Sequence, residues 1–494
     1  MNIVFSQAKN GQKSCSIKNI NFHSSYNPER EAETFVNNIQ TDFIPSCIII
    51  LEPGLSYISD YLRKRFPKTT LVAIRLINDF SEYDNKWDKV IYYRDYINFS
   101  EIIYNTLGEE LLLSSIQLNW PPAQNIFIDE LSKIWTEIKK SILKSRDILY
   151  TRSYFSQKWF LNSISFFSNV KNIYSFNKIN IPILITASGP SLQSSINKIK
   201  ENRDSFFLIG LSSSISVLQK NEILPDLIMS TDGGFWSKFH LYSPITKIQN
   251  QFYALTDENC TPKKIMQNEK IIPLCYKNSI GEKLFQSLNI NYFYAQRNGT
   301  VSGTAAELAL ALTSKNIYFC GLDLSTSKSF QHTQPNSLEY FSQNKDFRLK
   351  NKESRISKSR FNSTGSLELY QNWFKTYSEQ FHNRIYRLSD NFNYKNDLNY
   401  IKNVNWEFFQ KTEKKQVTKQ TNFFTKQKTS FIKINDTIID EILTSKNIQQ
   451  ELFPLESIML KRTQNKKEQD IINKKIEIKI NELKEKIRIL TNND

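Results

Sequence analysis

The sequence predicts an α/β protein whose main domain is a Rossmann-like, mainly parallel sheet, and three observations lead there. Between residues 181 and 320 short β-branched and aromatic runs recur at 181–187, 206–211, 227–230, 251–255, 270–274, 292–295 and 316–320. Amphipathic, helix-like segments stand between several of them, at 191–201, 213–219 and 302–312. This alternation is the signature of parallel strands joined by crossover helices that cover both faces of the sheet. The third observation is that small-residue turns follow the strands directly, where ligands bind in open sheets of this class.

Taken in order, residues 1–150 read as a smaller α/β domain. The apolar run at 44–51 leads through a Pro53-Gly54 turn into a helix at 56–65, with further strands at 69–76 and 89–93. Its turn, Glu52-Pro53-Gly54-Leu55-Ser56, lacks the repeated glycines that let a pyrophosphate approach the backbone, so a scaffold or acceptor-docking role is expected. An aromatic helical segment at 151–177 opens the central domain, residues 151–400. Beyond residue 325 the pattern becomes a polar loop followed by helices, including one at 367–380. Residues 401–494 are expected to be a linker and a helical C-terminal region, with the polar tract 411–429 as a linker or mobile loop. In the last segment Ile472, Ile476, Ile480, Leu483, Ile487 and Leu490 repeat at three- and four-residue spacing. That pattern fits a coiled-coil seam for self-association, or an amphipathic helix packed on its own domain.

A chain of 494 residues is too long for one compact core and implies two or three domains. Its formal charge of +16 is spread through a Lys-, Asn- and Ile-rich composition and concentrated in the 411–433 tract and the last helix, which argues against a designed nucleic-acid face. An anionic ligand such as a nucleotide-sugar is compatible with that charge. Cys15, Cys47, Cys260, Cys275 and Cys320 are odd in number, widely spaced and without a C-x-x-C pair, as in a reducing compartment. The first ten residues have no signal-like apolar core, and no apolar run approaches the ~18 residues of a spanning helix. A soluble, cytoplasmic protein is expected.

Four turns carry candidate chemistry. Ser188-Gly189-Pro190-Ser191 joins a strand to a helix, the order in which α/β proteins hold an anion on backbone N–H groups. It is neither a G-x-G-x-x-G nor a Walker loop, so alone it indicates only a phosphate-bearing ligand. Ser230-Thr231-Asp232-Gly233-Gly234 places a carboxylate beside glycines, suited to sugar hydroxyls, or forms an ordinary Asp-Gly turn. Arg297-Asn298-Gly299-Thr300-Val301-Ser302-Gly303 offers a guanidinium, hydroxyls and close backbone approach, against a plainer reading as a helix cap with small-residue packing. Gly321-Leu322-Asp323 ends the last strand, and Gln331-His332-Thr333 follows. Histidine is scarce, with four in the chain, and its imidazole is a natural proton acceptor near neutral pH, although a loop histidine is often inert. His240 has the same ambiguity, and His23 and His382 stand in weaker contexts. No D-x-D occurs in the central domain, nor any G-x-S-x-G or H-E-x-x-H, so neither a metal nor another cofactor is expected.

In this order the motifs resemble the motility-associated factor family of flagellin glycosyltransferases. The resemblance begins at His23-Ser24-Ser25-Tyr26-Asn27-Pro28 with Arg30-Glu31-Ala32, and runs through Ser188–Leu192, Ser230–Gly234, Gly299–Val301, Gly321–Leu324 with His332, and Leu369-Tyr370-Gln371-Asn372-Trp373-Phe374. It implies a sialyltransferase-like, GT-A-variant central fold and a CMP-activated nonulosonic acid, of the pseudaminic, legionaminic or sialic kind, as donor substrate. The acceptor would be Ser/Thr of flagellin, and transfer inverting and metal-independent. Ser188, Gly189, Pro190 and Ser191 would lie at the nucleotide, Asp232, Gly233 and Asp323 near the donor, and Arg297, Asn298, Gly299, Thr300, Ser302 and Gly303 at its phosphate or carboxylate. His332 would be the general base. The alternatives are a 6-hydroxymethylpterin diphosphokinase-like enzyme, with Asp226, Asp232 and Asp323 as strand-end carboxylates, and a non-catalytic flagellin-binding chaperone.

Overall fold

The computed structural model describes residues 3–95, 99–233, 237–242, 252–276, 279–296, 300–324, 330, 332–356, 364–377, 381, 383–392, 397–413, 422–428, 436–463 and 465–492. The chain forms two compact units, Met1–Gln157 with Leu443–Glu485 and Lys158–Ile442 with Lys486–Asp494.

The first unit opens with an antiparallel sheet of β1 (Ile3–Gln7), β2 (Lys13–Ile17) and β3 (Ile20–Asn21). A parallel sheet follows, built from β4 (Cys47–Leu51), β5 (Thr70–Arg75), β6 (Lys89–Tyr92) and β7 (Ser115–Asn119) in the order β6-β5-β4-β7. Every residue of β4 is buried, as expected of a central parallel strand covered on both faces. Later segments belong to the same unit. Arg152 bridges Glu109 at 2.6 Å and Glu451 at 2.9 Å, and the Ser156 hydroxyl donates to the Leu452 carbonyl at 2.7 Å.

In the turn after β4, beside the end of β5, the chain supplies its own anion. The Glu52 carboxylate is fully buried and accepts from the N–H groups of Gly54, Leu76 and Ile77 at 3.3, 2.7 and 3.0 Å. Arg75, equally buried, pairs with Glu52 at 3.2 Å and with Asp84 at 3.0 Å, and donates to the Gly54 carbonyl and the Ser56 hydroxyl. The His23 motif serves the same turn. Its Nε2 accepts from the Leu55 N–H at 2.9 Å, and burial, with Arg75 nearby, pushes the imidazole down to about 3. Asn27 caps the helix Pro28–Asn37 by accepting from the Arg30 N–H, so the resemblance's N-terminal signature is structural here.

The second unit is organised by a nine-stranded sheet, parallel at every pairing. After β8 (Tyr174–Phe176), its strands are β9 (Ile183–Thr186), β10 (Phe207–Leu211), β11 (Leu227–Ser230), β12 (Tyr253–Asp257), β13 (Lys270–Tyr276), β14 (Phe293–Ala295), β15 (Ile317–Cys320), β16 (Ile385–Leu388) and β17 (Lys402–Val404). The order is β14-β13-β12-β11-β10-β9-β15-β16-β17. The chain winds outward from β9 to β14, returns through the helix Val301–Leu312, and resumes on the other side of β9. The switch point therefore lies between β9 and β15.

Several expectations are corrected. The aromatic helix is Ile128–Asn169, starting earlier than residue 151 and ending before β8. The region after residue 325 is not only loop and helix, because β16 and β17 widen the sheet; they are short, and the buried Arg387 of β16 disguises it. Part of the presumed linker 411–429 is β18 (Phe424–Lys426), antiparallel to β8, and Phe424 stacks on Tyr253 at 3.8 Å. Two aromatic rings outweighed the polar composition around them. In the helix Lys466–Asn492, Ile476, Leu483 and Ile487 are buried within the chain while Leu490 is exposed. All five cysteines are free, and among the described residues no helix is long and apolar enough to cross a membrane.

Removing one partner of a buried ion pair strands the other charge, so Glu52→Ala is expected to cost the first unit about 3–5 kcal/mol. Urea unfolding, with amide exchange of Cys47–Leu51 as the local readout, measures this; a loss below about 1 kcal/mol would mean the pair behaves like an exposed one.

Candidate functional site

The β9/β15 switch point is closed at its floor by two glycines. The Ala187 N–H donates to the Cys320 carbonyl at 2.9 Å and the Gly189 N–H to the Gly321 carbonyl at 2.8 Å, which extends the parallel ladder into the turns. A Cβ on Gly189 would lie 2.5 Å from the Gly321 carbonyl oxygen. Gly321 has φ +79°, and a Cβ there would meet the Ala187 carbonyl oxygen at 2.5 Å. Asp323 is held by this approach. Its carboxylate, 4% exposed, accepts from the Ser191 N–H at 2.7 Å and from the Ser191 hydroxyl. Burial pushes its pKa up, against the Ser191 bonds and the charge of Arg387.

This geometry revises the reading of the Ser188–Ser191 turn. The Ser191 N–H is taken by Asp323, the Leu192 N–H by the Gly189 carbonyl at 3.1 Å and the Gln193 N–H by the Pro190 carbonyl at 3.2 Å. Asp323 thus does an anion's work at the start of the helix Leu192–Glu201. Ser188 and Ser191 are buried, while Gly189 and Pro190 keep a partly accessible face.

A strap built from residues 332–343 crosses the ends of β9, β10 and β11. The Thr333 N–H donates to the Ser188 carbonyl at 2.8 Å, and its hydroxyl donates to Gln193 at 3.1 Å. Asn336 donates to the Ser213 carbonyl at 3.4 Å, the Ser337 and Ser216 hydroxyls meet at 2.9 Å, and Phe341 packs on Phe239 with centroids 4.5 Å apart. His332 opens this strap, partly buried, and burial holds it below its ordinary 6.5 against the opposing charge of Glu339.

The loop after β11 brings Asp232 and His240 to the same place. Asp232 is exposed, and its carbonyl accepts from the Ser237 hydroxyl at 2.5 Å. His240 follows on the short helix Lys238–Leu241; it is 8% exposed and pushed down to about 4, first by burial, then by His332, with Asp232 opposing. Asp232, His240 and His332 therefore share one electrostatic neighbourhood. Four scattered histidines were the only sequence signal for it. The pairing depends on the strap, which periodicity does not show.

Of the third loop, Arg297, Asn298 and Gly299 lie outside the described residues. Thr300 and Ser302 are partly accessible at the start of Val301–Leu312. Gly303 is buried, and a Cβ there would meet the Trp373 ring at 2.8 Å, so it serves packing. Gln371 of the same helix, Thr364–Tyr377, donates to the Leu324 carbonyl at 2.5 Å, so the Leu369–Phe374 motif braces two loops. Tyr276, missed in the sequence, ties Thr231 to Thr304 through its hydroxyl, and burial pushes that phenol up. Asp226 is not at the ligand end of the sheet. It precedes β11, accepts from the Leu208 N–H at 2.7 Å and pairs with Arg203 at 2.8 Å. Among the described residues no group of three or more His, Cys, Asp and Glu side chains has the arrangement to hold a metal ion.

Gly189→Ala forces its Cβ onto backbone that cannot rotate away, and overpacking of this kind costs about 1–3 kcal/mol. Denaturant unfolding of the variant tests the close approach, and unchanged stability would contradict it.

Comparison with known proteins adds three findings. Residues 158–329 match the family described as 6-hydroxymethylpterin diphosphokinase MptE-like. Two proteins of Treponema pallidum (strain Nichols), both described as uncharacterized, are similar in sequence. One is 28% identical over 291 residues, 58% of this chain and 63% of its own length; the other is 21% identical over 215 residues, 43% and 37%. The chain thus spans less than two thirds of either relative. The structure of the MAf glycosyltransferase from Magnetospirillum magneticum AMB-1 aligns with a TM-score of 0.46 at 14% identity, over 66% of this chain and 60% of that one. The stretch similar to that family lies within the sheet unit, from the last part of the long helix to the residues after β15.

Proposed function

We propose that the protein is a sialyltransferase-like glycosyltransferase that moves a nonulosonic acid from its CMP-activated form to a Ser/Thr hydroxyl of flagellin. The observation that carries this reading is the junction of His332 with the Ser188 turn, through the 2.8 Å bond from the Thr333 N–H to the Ser188 carbonyl. It holds an imidazole kept neutral by burial beside the switch-point crevice. The colinear resemblance supplies the donor and acceptor classes.

In the proposed step the acceptor oxygen attacks the anomeric carbon, the bond from that carbon to the CMP oxygen breaks, and CMP leaves with the electron pair. The acceptor proton passes to His332, and direct displacement inverts the centre. Hydroxyls of Thr300 and Ser302, with the Arg297 loop, stabilise the departing phosphate monoester, a role hydrogen-bond donors fill without a metal. Asp323 acts from beneath, by fixing the turn.

The description of the matched family raises diphosphate transfer to a pterin as a second reading. The three carboxylates proposed for it do not gather, because Asp226 stands at the other end of β11 and Asp323 is spent on Ser191. Incubating the protein with flagellin and CMP-nonulosonic acids, with and without EDTA, and weighing the flagellin by intact mass separates the readings. An increment of one sugar residue in both arms is expected; pterin diphosphate formed from ATP with unmodified flagellin would overturn the proposal.

His332→Ala is expected to keep CMP affinity within about twofold and to lower transfer by a factor of about 10²–10⁴. A base is active when deprotonated, so with its pKa held below the ordinary 6.5 the acid limb of the wild-type rate is expected to have its midpoint below pH 6.5. Full transfer by the variant, or an acid limb with its midpoint above pH 6.5, would remove His332 from the mechanism.

A further inference from the structure

His240 is placed like a ligand contact rather than a core residue. It is 8% exposed, yet its Nδ1 is buried with no hydrogen-bond partner among the described residues. A buried imidazole nitrogen without a partner costs stability unless something bound supplies one. The backbone under it is fixed: the His240 main-chain N–H donates to the Ser237 carbonyl at 3.1 Å, the Ser237 hydroxyl donates in turn to the Asp232 carbonyl at 2.5 Å, Phe239 packs on Phe341 and Leu241 is buried.

The surroundings select the kind of group that would complete it. Asp232 is the exposed member and bears a carboxylate, which repels phosphate but accepts from hydroxyls. Beside it stand His240 and His332, each held below its ordinary pKa by burial and so neutral near pH 7, where an imidazole has one donor and one acceptor nitrogen. Carboxylate, donor and acceptor within one small neighbourhood suit a polyol better than an anion.

We propose that His240 and Asp232 form a hydroxyl-binding subsite that holds the sugar portion of the donor, distinct from the groups that hold its nucleotide. This rests on the transferase reading and assigns His240 a part in selecting the sugar. The bound hydroxyl satisfies Nδ1, and the short helix Lys238–Leu241 sets its position relative to His332.

The test is calorimetric titration of wild type, His240→Ala, His240→Asn and Asp232→Asn with CMP and with CMP-activated sialic, pseudaminic and legionaminic acids. The quantity read is the ratio of the Kd for CMP to that for the tightest sugar. In His240→Ala and Asp232→Asn this ratio is expected to fall about tenfold, about 1.4 kcal/mol, with CMP affinity unchanged. His240→Asn, which keeps a polar atom near the Nδ1 position, is expected to recover part of it. A ratio that stays constant, or an equal loss for CMP and the sugars, would overturn the subsite. Should His240→Ala unfold, Asp232→Asn at an exposed position decides the same question. A wild type that binds neither CMP nor any of the sugars would instead sink the transferase reading.

Discussion

The carboxylate of Asp323 holding Ser191 is the interaction on which the carboxyl end of the main sheet depends. It crosses from the turn after β15 to the turn after β9, and so joins the two strands at which the winding of the sheet reverses. The bond needs the backbones of the two turns in contact, which only glycine at 189 and 321 permits. With the turns fixed, the Ser188 carbonyl is presented to the Thr333 N–H, and the strap carrying His332 has its anchor.

A similar device appears in the other unit with a different result. There Glu52 occupies the turn after β4, and Arg75, Ser56, Trp87 and His23 close over it until nothing of the carboxylate or the guanidinium reaches solvent. Charge is balanced internally and the turn is part of the core. In the main sheet the internal carboxylate satisfies only the helix N-terminus, while Gly189, Pro190, Thr231, Asp232, Gly233 and His332 remain at least partly accessible around it. The same strategy closes one crevice and shapes the other. In both turns an acid of the chain stands where a phosphate is bound in related architectures.

Much of this was legible in the sequence. The strands from residue 181 to 320 announced themselves because each is a mostly apolar run between turn residues, the mark of strands buried on both faces. Gly189, Asp232 and His332 stand out as candidates in the sequence because they follow those strands. What escaped detection depends on tertiary partners. β16 looks unlike a core strand because Arg387 lies in it, and that arginine is buried beside Asn403 and within the field of Asp323. β18 sits in a lysine-rich tract and exists because Phe424 finds Tyr253. The bond from Ser191 to Asp323 is not legible because a carboxylate at a strand end looks the same in sequence whether it faces a ligand or a neighbouring turn.

The turns around Ser188, Asp232 and His332 are proposed to receive a ligand, whereas the turn after β4 is filled from within by Glu52 and Arg75. Hydrogen–deuterium exchange of the whole protein with and without a CMP-activated nonulosonic acid tests this directly. Slower exchange is predicted in the loop after β11 through His240 and at His332 and Thr333, with no change at Glu52 to Ser56. Protection at Glu52 to Ser56, with none around Asp232 and His332, would contradict the account.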